Sequence, residues 1–194
     1  MEKTIVNKVV LVTGGAAGIG LSMVDNFLEN GAKLAIIVDI NEELGERAVE
    51  SMTTKHGCDK TVFLKCDVTT DLDETFEIVK RKYKYIDILV NNAGIANEKL
   101  LKCTININLL SVMEWSMKFY DDMRKDRGGR GGTIINVASA YGFRKTPYLS
   151  SYHASKSGVI GFSKSIGHEY CRVLGRWFLI RYIIWNPCAL VTIV

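Results

Sequence analysis

Short runs of aliphatic and β-branched residues alternate along the chain with longer stretches in which apolar positions recur every three or four residues. The runs at 9–13, 34–39, 61–66, 86–91 and 133–138 are nearly continuous in Val, Ile and Leu, the composition of strands covered on both faces. Between them the segments 18–29, 42–55, 71–84, 105–124 and 152–174 have the length and period of amphipathic helices. Strand and helix in regular alternation, joined by short connections, predict an α/β fold: a doubly wound parallel sheet with crossover helices. In such a sheet ligands sit beyond the carboxyl ends of the strands, where the strand order reverses.

The chain has 194 residues, which predicts a single domain over 1–194 and a real core. An apolar share of 47% with 24% charged residues is that of a soluble globular protein. The formal net charge of +4 is spread along the chain and gives no reason to expect nucleic acid or an anionic membrane as partner. Cys58, Cys66, Cys103, Cys171 and Cys188 stand at wide, irregular spacings, which fits reduced thiols in a cytoplasmic protein better than a disulfide or zinc framework. His56, His153 and His168 are too scattered to gather on one ion, so no metal is expected. The first residues resemble no secretory signal. The loop Asp126-Arg127-Gly128-Gly129-Arg130-Gly131-Gly132 has the look of an RNA-binding segment, but a single copy reads better as a turn from helix to strand.

Directly after the first run comes Thr13-Gly14-Gly15-Ala16-Ala17-Gly18-Ile19-Gly20 and then an amphipathic segment. A side chain at Gly14, Gly18 or Gly20 would block the tight turn, the approach of a pyrophosphate to backbone N–H groups, or the packing of helix on strand. With Ile19 these residues open a helix whose N-terminus favours phosphate, the arrangement of a Rossmann dinucleotide site. No lysine follows Gly20, so the turn is not a P-loop. Asp39 stands nineteen residues after Gly20 at the end of the second run, the spacing of a carboxylate that accepts from an adenosine ribose. Asp39 would repel a 2′-phosphate, and neither Ala16, Ala17, Ile40 nor Asn41 offers a cation to hold one, so the cofactor expected is NAD. The alternative for Asp39 is a helix N-cap.

Tyr152 and Lys156, four apart, share a face of the last helix, with Cβ atoms roughly 6 Å apart. A phenol is a poor base at neutral pH, and a nearby ammonium favours its ionised form, so the pair can serve as an acid/base for alcohol chemistry. Ser139 follows the fifth run, at the carboxyl edge where a cofactor lies; its hydroxyl can bond a developing alkoxide or carbonyl oxygen, or merely cap the next turn.

In these residues the chain resembles the short-chain dehydrogenase/reductase family. The match takes in Thr13 to Gly20, the Asn91-Asn92-Ala93-Gly94 motif, Asn108, Ser139, Tyr152 and Lys156, in family order, from about Lys8 to Leu174. Asp67 matches the position that contacts the adenine ring, with Val68 beside it, and Asn91 belongs to the cofactor set. The segments from Asn91 to Lys99 and Ile107 to Val112 are most similar to those of NAD-dependent hydroxyprostaglandin dehydrogenases and insect-type alcohol dehydrogenases. The resemblance implies oxidation of a small-molecule alcohol, or reduction of the matching carbonyl. Tyr152 would take the hydroxyl proton, Lys156 would hold the ribose and lower the phenol's pKa, Ser139 would orient the substrate oxygen, and Asn108 would hold a relay water. It also implies a homodimer through the helices at 105–124 and 152–174.

Beyond about Leu174 the similarity fades. The family continues with a strand, an Asn and a Pro-Gly pair, then a substrate loop, a helix and a last strand. Here a strand is expected at 178–184, Cys188 stands where the glycine would be, and the substrate-binding part is expected to be missing. Arg181, Asn186 and Pro187 argue against reading the tail as a membrane anchor. A catalytically impaired NAD-binding or interaction protein is therefore the alternative to an active dehydrogenase.

Overall fold

In the computed structural model, β1 (Val9–Thr13), β2 (Leu34–Asp39), β3 (Thr61–Lys65) and β4 (Ile88–Asn91) form a parallel sheet in the order β3-β2-β1-β4. The structure describes residues 5–144, 147–173, 178–186 and 189–193, with side chains as far as Gly167. It comprises two units, Met1–Ala93 and Gly94–Val194.

In the first unit every residue of β1 is buried, as are Ala35, Ile36, Ile37 and Val38 of β2. This is why those runs lack the polar alternation of a half-exposed strand. α1 (Gly18–Glu29) packs on β1 and β2 through Val24 and Leu28, and α2 (Glu42–His56) packs on β2 and β3 through Ala48 and Met52. Asn41 caps α2, its side chain accepting from the Leu44 amide at 3.0 Å. α3 (Leu72–Tyr83) buries Thr75 and Val79 and precedes β4. The strand order reverses at β1, which has β2 on one side and β4 on the other.

The second unit opens with a 3-10 turn (Glu98–Leu100) and a helix that changes pitch twice: α4 (Leu101–Ile105), a π turn at Asn106–Leu110, and α5 (Ser111–Met123). β5 (Gly132–Val137) follows, then α6 (Ser150–Val173) and the strands β6 (Phe178–Asn186) and β7 (Ala189–Ile193). β6 runs parallel to β5, and β7 returns antiparallel along β6. Trp115, Phe119, Tyr120 and Met123 of α5 are buried with Ile134 of β5 and with Val159 and Ile160 of α6; the Trp115 and Phe119 rings stack at 5.8 Å.

The strands and helices read from the pattern are present, most of them with ends moved by one or two residues, the ordinary latitude of an element boundary. Three differences have physical causes. The helix expected at 105–124 starts at Leu101, and the π turn inside it follows from no period in the sequence. α6 starts at Ser150 rather than 152, because a distant carboxylate satisfies its first amides. β7 was not expected, and it pairs with the edge of β6 that would otherwise stand open. The expectations for Leu174, Pro187 and Cys188 lie outside the described residues.

The glycine-rich loop is a turn. Gly128 adopts φ +86°, the Gly129 and Gly131 amides return to the Arg124 and Met123 carbonyls, and Arg124 and Arg127 pair with Asp126 and Asp121. Among the described residues no helix is long and apolar enough to cross a membrane, and no group of three His, Cys, Asp or Glu is placed to hold a metal.

Candidate functional site

The glycine turn lies beyond the carboxyl end of β1, beside the loop that leaves β4. Gly14 has φ +61°, a conformation that L side chains rarely adopt, and a Cβ there would stand 2.8 Å from the Ala93 Cα. A Cβ at Gly20 would overlap the Gly14 carbonyl and come within 2.6 Å of the Asn92 amide. Asn92 ties the two loops together: its Nδ2 donates to the Thr13 and Gly14 carbonyls at 3.0 and 2.9 Å. The Thr13 hydroxyl accepts from the Asn92 and Ala93 amides.

Gly18 has φ +55° and nothing within 4 Å of the place a Cβ would take. The N-terminus of α1 carries no side-chain cap and no acidic residue in its first turn, whereas α2 has both. Amides left without a cap, next to open space and under the positive end of a helix, fit a diphosphate. Ile19 is half-buried in that first turn.

Asp39 stands half-buried at the end of β2. Its Oδ2 accepts from the Ala16 amide at 3.2 Å and its Oδ1 from the Asn41 amide at 3.1 Å. Asn41 is the cap of α2, so the N-cap alternative for Asp39 falls away. The carboxylate is held against the glycine turn with lone pairs to spare for a diol. Asp67, just past β3, accepts from the Thr69 amide and hydroxyl on Oδ1, and Val68 beside it is buried. Asn91 is buried within β4, and Asn92 after it grips the glycine turn.

In the second unit, Asn108, Ser139, Tyr152 and Lys156 come from three parts of the chain, the last two from α6. Asn108 sits in the π turn, fully buried; such turns are frequent at functional sites. Its Oδ1 accepts from the Ile95 amide at 2.8 Å, while its Nδ2 donates to the Ile95 carbonyl at 2.7 Å and to the Ser155 hydroxyl at 3.2 Å. Lys156 is buried and donates to the Val137 carbonyl at 2.8 Å. A Cβ at Gly94 would meet Asn108 Oδ1 at 3.2 Å and Lys156 Nζ at 3.6 Å, so Gly94 keeps that ground clear.

Lys156 Nζ lies 5.8 Å from the centre of the Tyr152 ring, which places the pair on one face of α6 as its spacing predicts. Ser139 is fully buried and does two things: it accepts from the Tyr141 amide at 3.2 Å, the capping alternative, and it hydrogen-bonds the Tyr152 hydroxyl. The Tyr152 pKa moves opposite to the expected direction. Burial raises it, and the bond to Ser139 pulls it partly back. Burial also pushes the Lys156 ammonium down to about 8, so it is mostly charged at neutral pH.

Glu98, Ser155 and Gly94 were not singled out for the site, although Gly94 closes a quoted motif. Their roles depend on contacts to distant chain segments: Glu98 with Tyr152, Ser155 with Asn108, and Gly94 with Asn108 and Lys156. The Cys66 thiol is raised to about 11 by burial and is a core group, not a nucleophile.

The glycine turn at the strand-order reversal of the first unit, and the half-buried Tyr152 beside buried Ser139 and Lys156 in the second, carry the residues on which the family resemblance rests. The chain belongs to the short chain dehydrogenase family, whose model matches residues 8–177. It is 42% identical over 160 residues to the 15-hydroxyprostaglandin dehydrogenase [NAD(+)] of Rattus norvegicus, covering 81% of this chain and 60% of that protein. Alcohol dehydrogenase 1 of Ceratitis cosyra is 32% identical over 169 residues, covering 86% and 65%. Among solved structures, a short chain dehydrogenase/reductase from Burkholderia phymatum in complex with NAD superposes with a TM-score of 0.85 at 19% identity, covering 94% of this chain and 66% of that one. The fold is thus the Rossmann-like α/β fold, and the chain spans about three-fifths of the length of the 15-hydroxyprostaglandin dehydrogenases it matches.

Proposed function

We propose that this chain transfers a hydride between the CH–OH carbon of an alcohol and NAD. The observation that carries this reading is the Tyr152 hydroxyl held by buried Ser139, with the Lys156 ammonium on the same helix face. Bound NAD would supply the hydride acceptor. Gly14, Gly18, Ile19 and Gly20 would hold its diphosphate, Asp39 the adenosine ribose, and Asp67 and Val68 the adenine. Asn91 would support the same cradle. The Asp39 carboxylate disfavours a 2′-phosphate, which supports NAD over its phosphorylated form.

As hydride leaves the carbinol carbon, Tyr152 takes the hydroxyl proton and the C–O bond becomes a carbonyl. Ser139 keeps the oxygen in line by a hydrogen bond that strengthens as charge develops. Lys156 has spent one of its three protons on Val137 and has two for a ribose hydroxyl. Its charge, next to the ring, stabilises the phenolate that the reaction requires. Asn108 is locked to Ile95 and Ser155, and through them keeps α6 and the relay position in register. The relatives at 42% and 32% identity favour a secondary or primary alcohol, including a hydroxylated fatty acid.

NADH formation by the purified chain, with NAD and a panel of secondary alcohols and hydroxylated fatty acids, tests the reading. Tyr152→Phe should lower kcat by about a thousandfold or more, the scale of a lost acid/base, while leaving NAD affinity within about threefold. Turnover that survives the substitution would sink it. A second reading is a cofactor-binding protein without turnover. That outcome is a melting temperature raised by NAD with no NADH formed.

A further inference from the structure

α6 begins after Leu149, an apolar residue whose side chain has no acceptor for the amides of the first turn. The His153 amide reaches back to the Leu149 carbonyl at 2.8 Å, the first intrahelical bond of the turn. The amides of Ser151 and Tyr152, which no earlier turn can satisfy, meet the Glu98 carboxylate instead. Glu98 Oε1 accepts from Ser151 N and Tyr152 N, both at 3.1 Å, and from Ser151 Oγ at 2.7 Å. Oε2 accepts from Ser151 N at 3.0 Å and Ser150 Oγ at 2.9 Å. Both oxygens are thus committed to the three residues that open the helix.

The carbonyl side of Tyr152 is held as well. Its oxygen accepts from the Ser155 hydroxyl at 2.7 Å, and Ser155 in turn receives the Asn108 amide. Tyr152 is therefore gripped at its N–H by Glu98 and at its C=O by Ser155, while its ring faces Lys156 and its hydroxyl meets Ser139. A displacement of the first turn moves the phenol against two partners fixed elsewhere in the unit: Ser139 beyond β5, and Lys156 one turn further along α6 and tied to Val137. Those amides and hydroxyls hold the Glu98 carboxyl down to about 2, so it stays ionised over any working pH.

We propose that Glu98 is a positioning residue for the Tyr152 acid/base: it caps the catalytic helix from outside and sets where the phenol stands between Ser139 and Lys156. The inference rests on the reading of Tyr152 given above. Glu98 touches neither substrate nor cofactor in this role; it acts through the Tyr152 backbone.

The test compares the 194-residue chain with Glu98→Ala, Glu98→Gln, Glu98→Asp and Tyr152→Phe. The phenol is titrated by ultraviolet absorbance, with Tyr152→Phe as the blank that isolates residue 152, and amide hydrogen exchange is followed over 149–156. Glu98→Ala should speed exchange at Ser151 and Tyr152 by roughly tenfold, the scale of a lost cap, and should shift the Tyr152 midpoint. Glu98→Gln keeps one acceptor oxygen and should fall between; Glu98→Asp keeps the charge and should recover part of the effect. In turnover, Glu98→Ala should lower kcat and move its pH profile, with the KM for NAD within about twofold, since transition-state contacts alone are disturbed.

If Glu98→Ala lowers only the melting temperature, with the Tyr152 midpoint and the pH profile unmoved, Glu98 is a structural cap and the proposal is overturned. If Glu98→Ala does not fold, the same midpoint and profile are read from Glu98→Gln and Glu98→Asp, and their identity with the parent chain overturns it equally. Loss of activity in Tyr152→Phe beside unchanged Glu98 variants removes this inference alone. Full activity in Tyr152→Phe removes the acid/base reading, and this one with it.

Discussion

Lys156 shows how far a side chain's chemistry depends on where the fold puts it. Its ammonium is buried, is bonded to the Val137 carbonyl and has a folded pKa of about 8 against an ordinary 10.5. Between those values the folded state binds fewer protons than the unfolded one, so stability should rise as pH climbs from about 8 to 10.5. Below that window the lysine is charged in both states and its burial is a cost. Lys156→Met should raise stability at pH 7 by about 2 kcal/mol, abolish the alkaline rise, and remove turnover. Denaturant melts at pH 7 and pH 10 check this; a variant less stable at pH 7, or one that keeps the alkaline rise, contradicts it. Tyr152 carries the complementary lesson. The ammonium that its spacing promised is present at 5.8 Å from the ring, yet burial raises the phenol's pKa and only the hydrogen bond with Ser139 draws it partly back.

Where α5, β5 and α6 meet, the packing is polar as well as apolar. Ser116 of α5 donates to Asn136 Oδ1 at 3.2 Å, and Asn136 Nδ2 donates to Ser163 of α6 at 3.0 Å, with all three groups buried. A buried amide is tolerated only when partners take its donors and acceptors. Asn136→Ala should therefore destabilise the protein by about 2 kcal/mol, the scale of two lost buried hydrogen bonds. Triple replacement of Ser116, Asn136 and Ser163 by Ala should cost less than the sum of the single losses. Equilibrium urea unfolding measures both, and strict additivity would show that the three side chains act independently. Strand and helix locations were legible because a covered strand and an amphipathic helix differ in period. The π turn at Asn106–Leu110 and the early start of α6 were not, because each depends on bonds between distant segments: Asn108 with Ile95 and Ser155, and Glu98 with Ser151 and Tyr152.

The carboxylates spread over the two units combine in one acid response. Glu98 is held at about 2, and Asp25, Asp71 and Asp126 are held below their ordinary 3.8, mainly by hydrogen bonds to Ser151, Lys55, the Asp67 amide and Arg124 respectively. A carboxyl whose folded pKa is depressed contributes stability that is fully present above its unfolded value and is lost as pH falls towards the folded one. The protein should keep its plateau to about pH 5, lose stability steadily between pH 4.5 and pH 2, and regain it on return to neutrality. Circular dichroism melts across that range check the sign. In the Glu98→Ala variant the slope should be shallower, because the deepest of these carboxyls is gone. An identical slope would mean that Glu98 titrates alike in both states.

What could be read before any fold was known is what depends on local order along the chain. That includes the alternation of elements, the glycine turn after β1, the acidic end of β2, and the four-residue step from Tyr152 to Lys156. Each follows from backbone sterics or helix period, which neighbouring residues set between them. Folding settled the choices in which distant residues compete for one group. Asn41, not Asp39, caps α2; Asn92 grips the glycine turn; and Glu98 reaches 54 residues to the Tyr152 amide. Burial, which no local pattern measures, then raised the Tyr152 pKa and lowered that of Lys156.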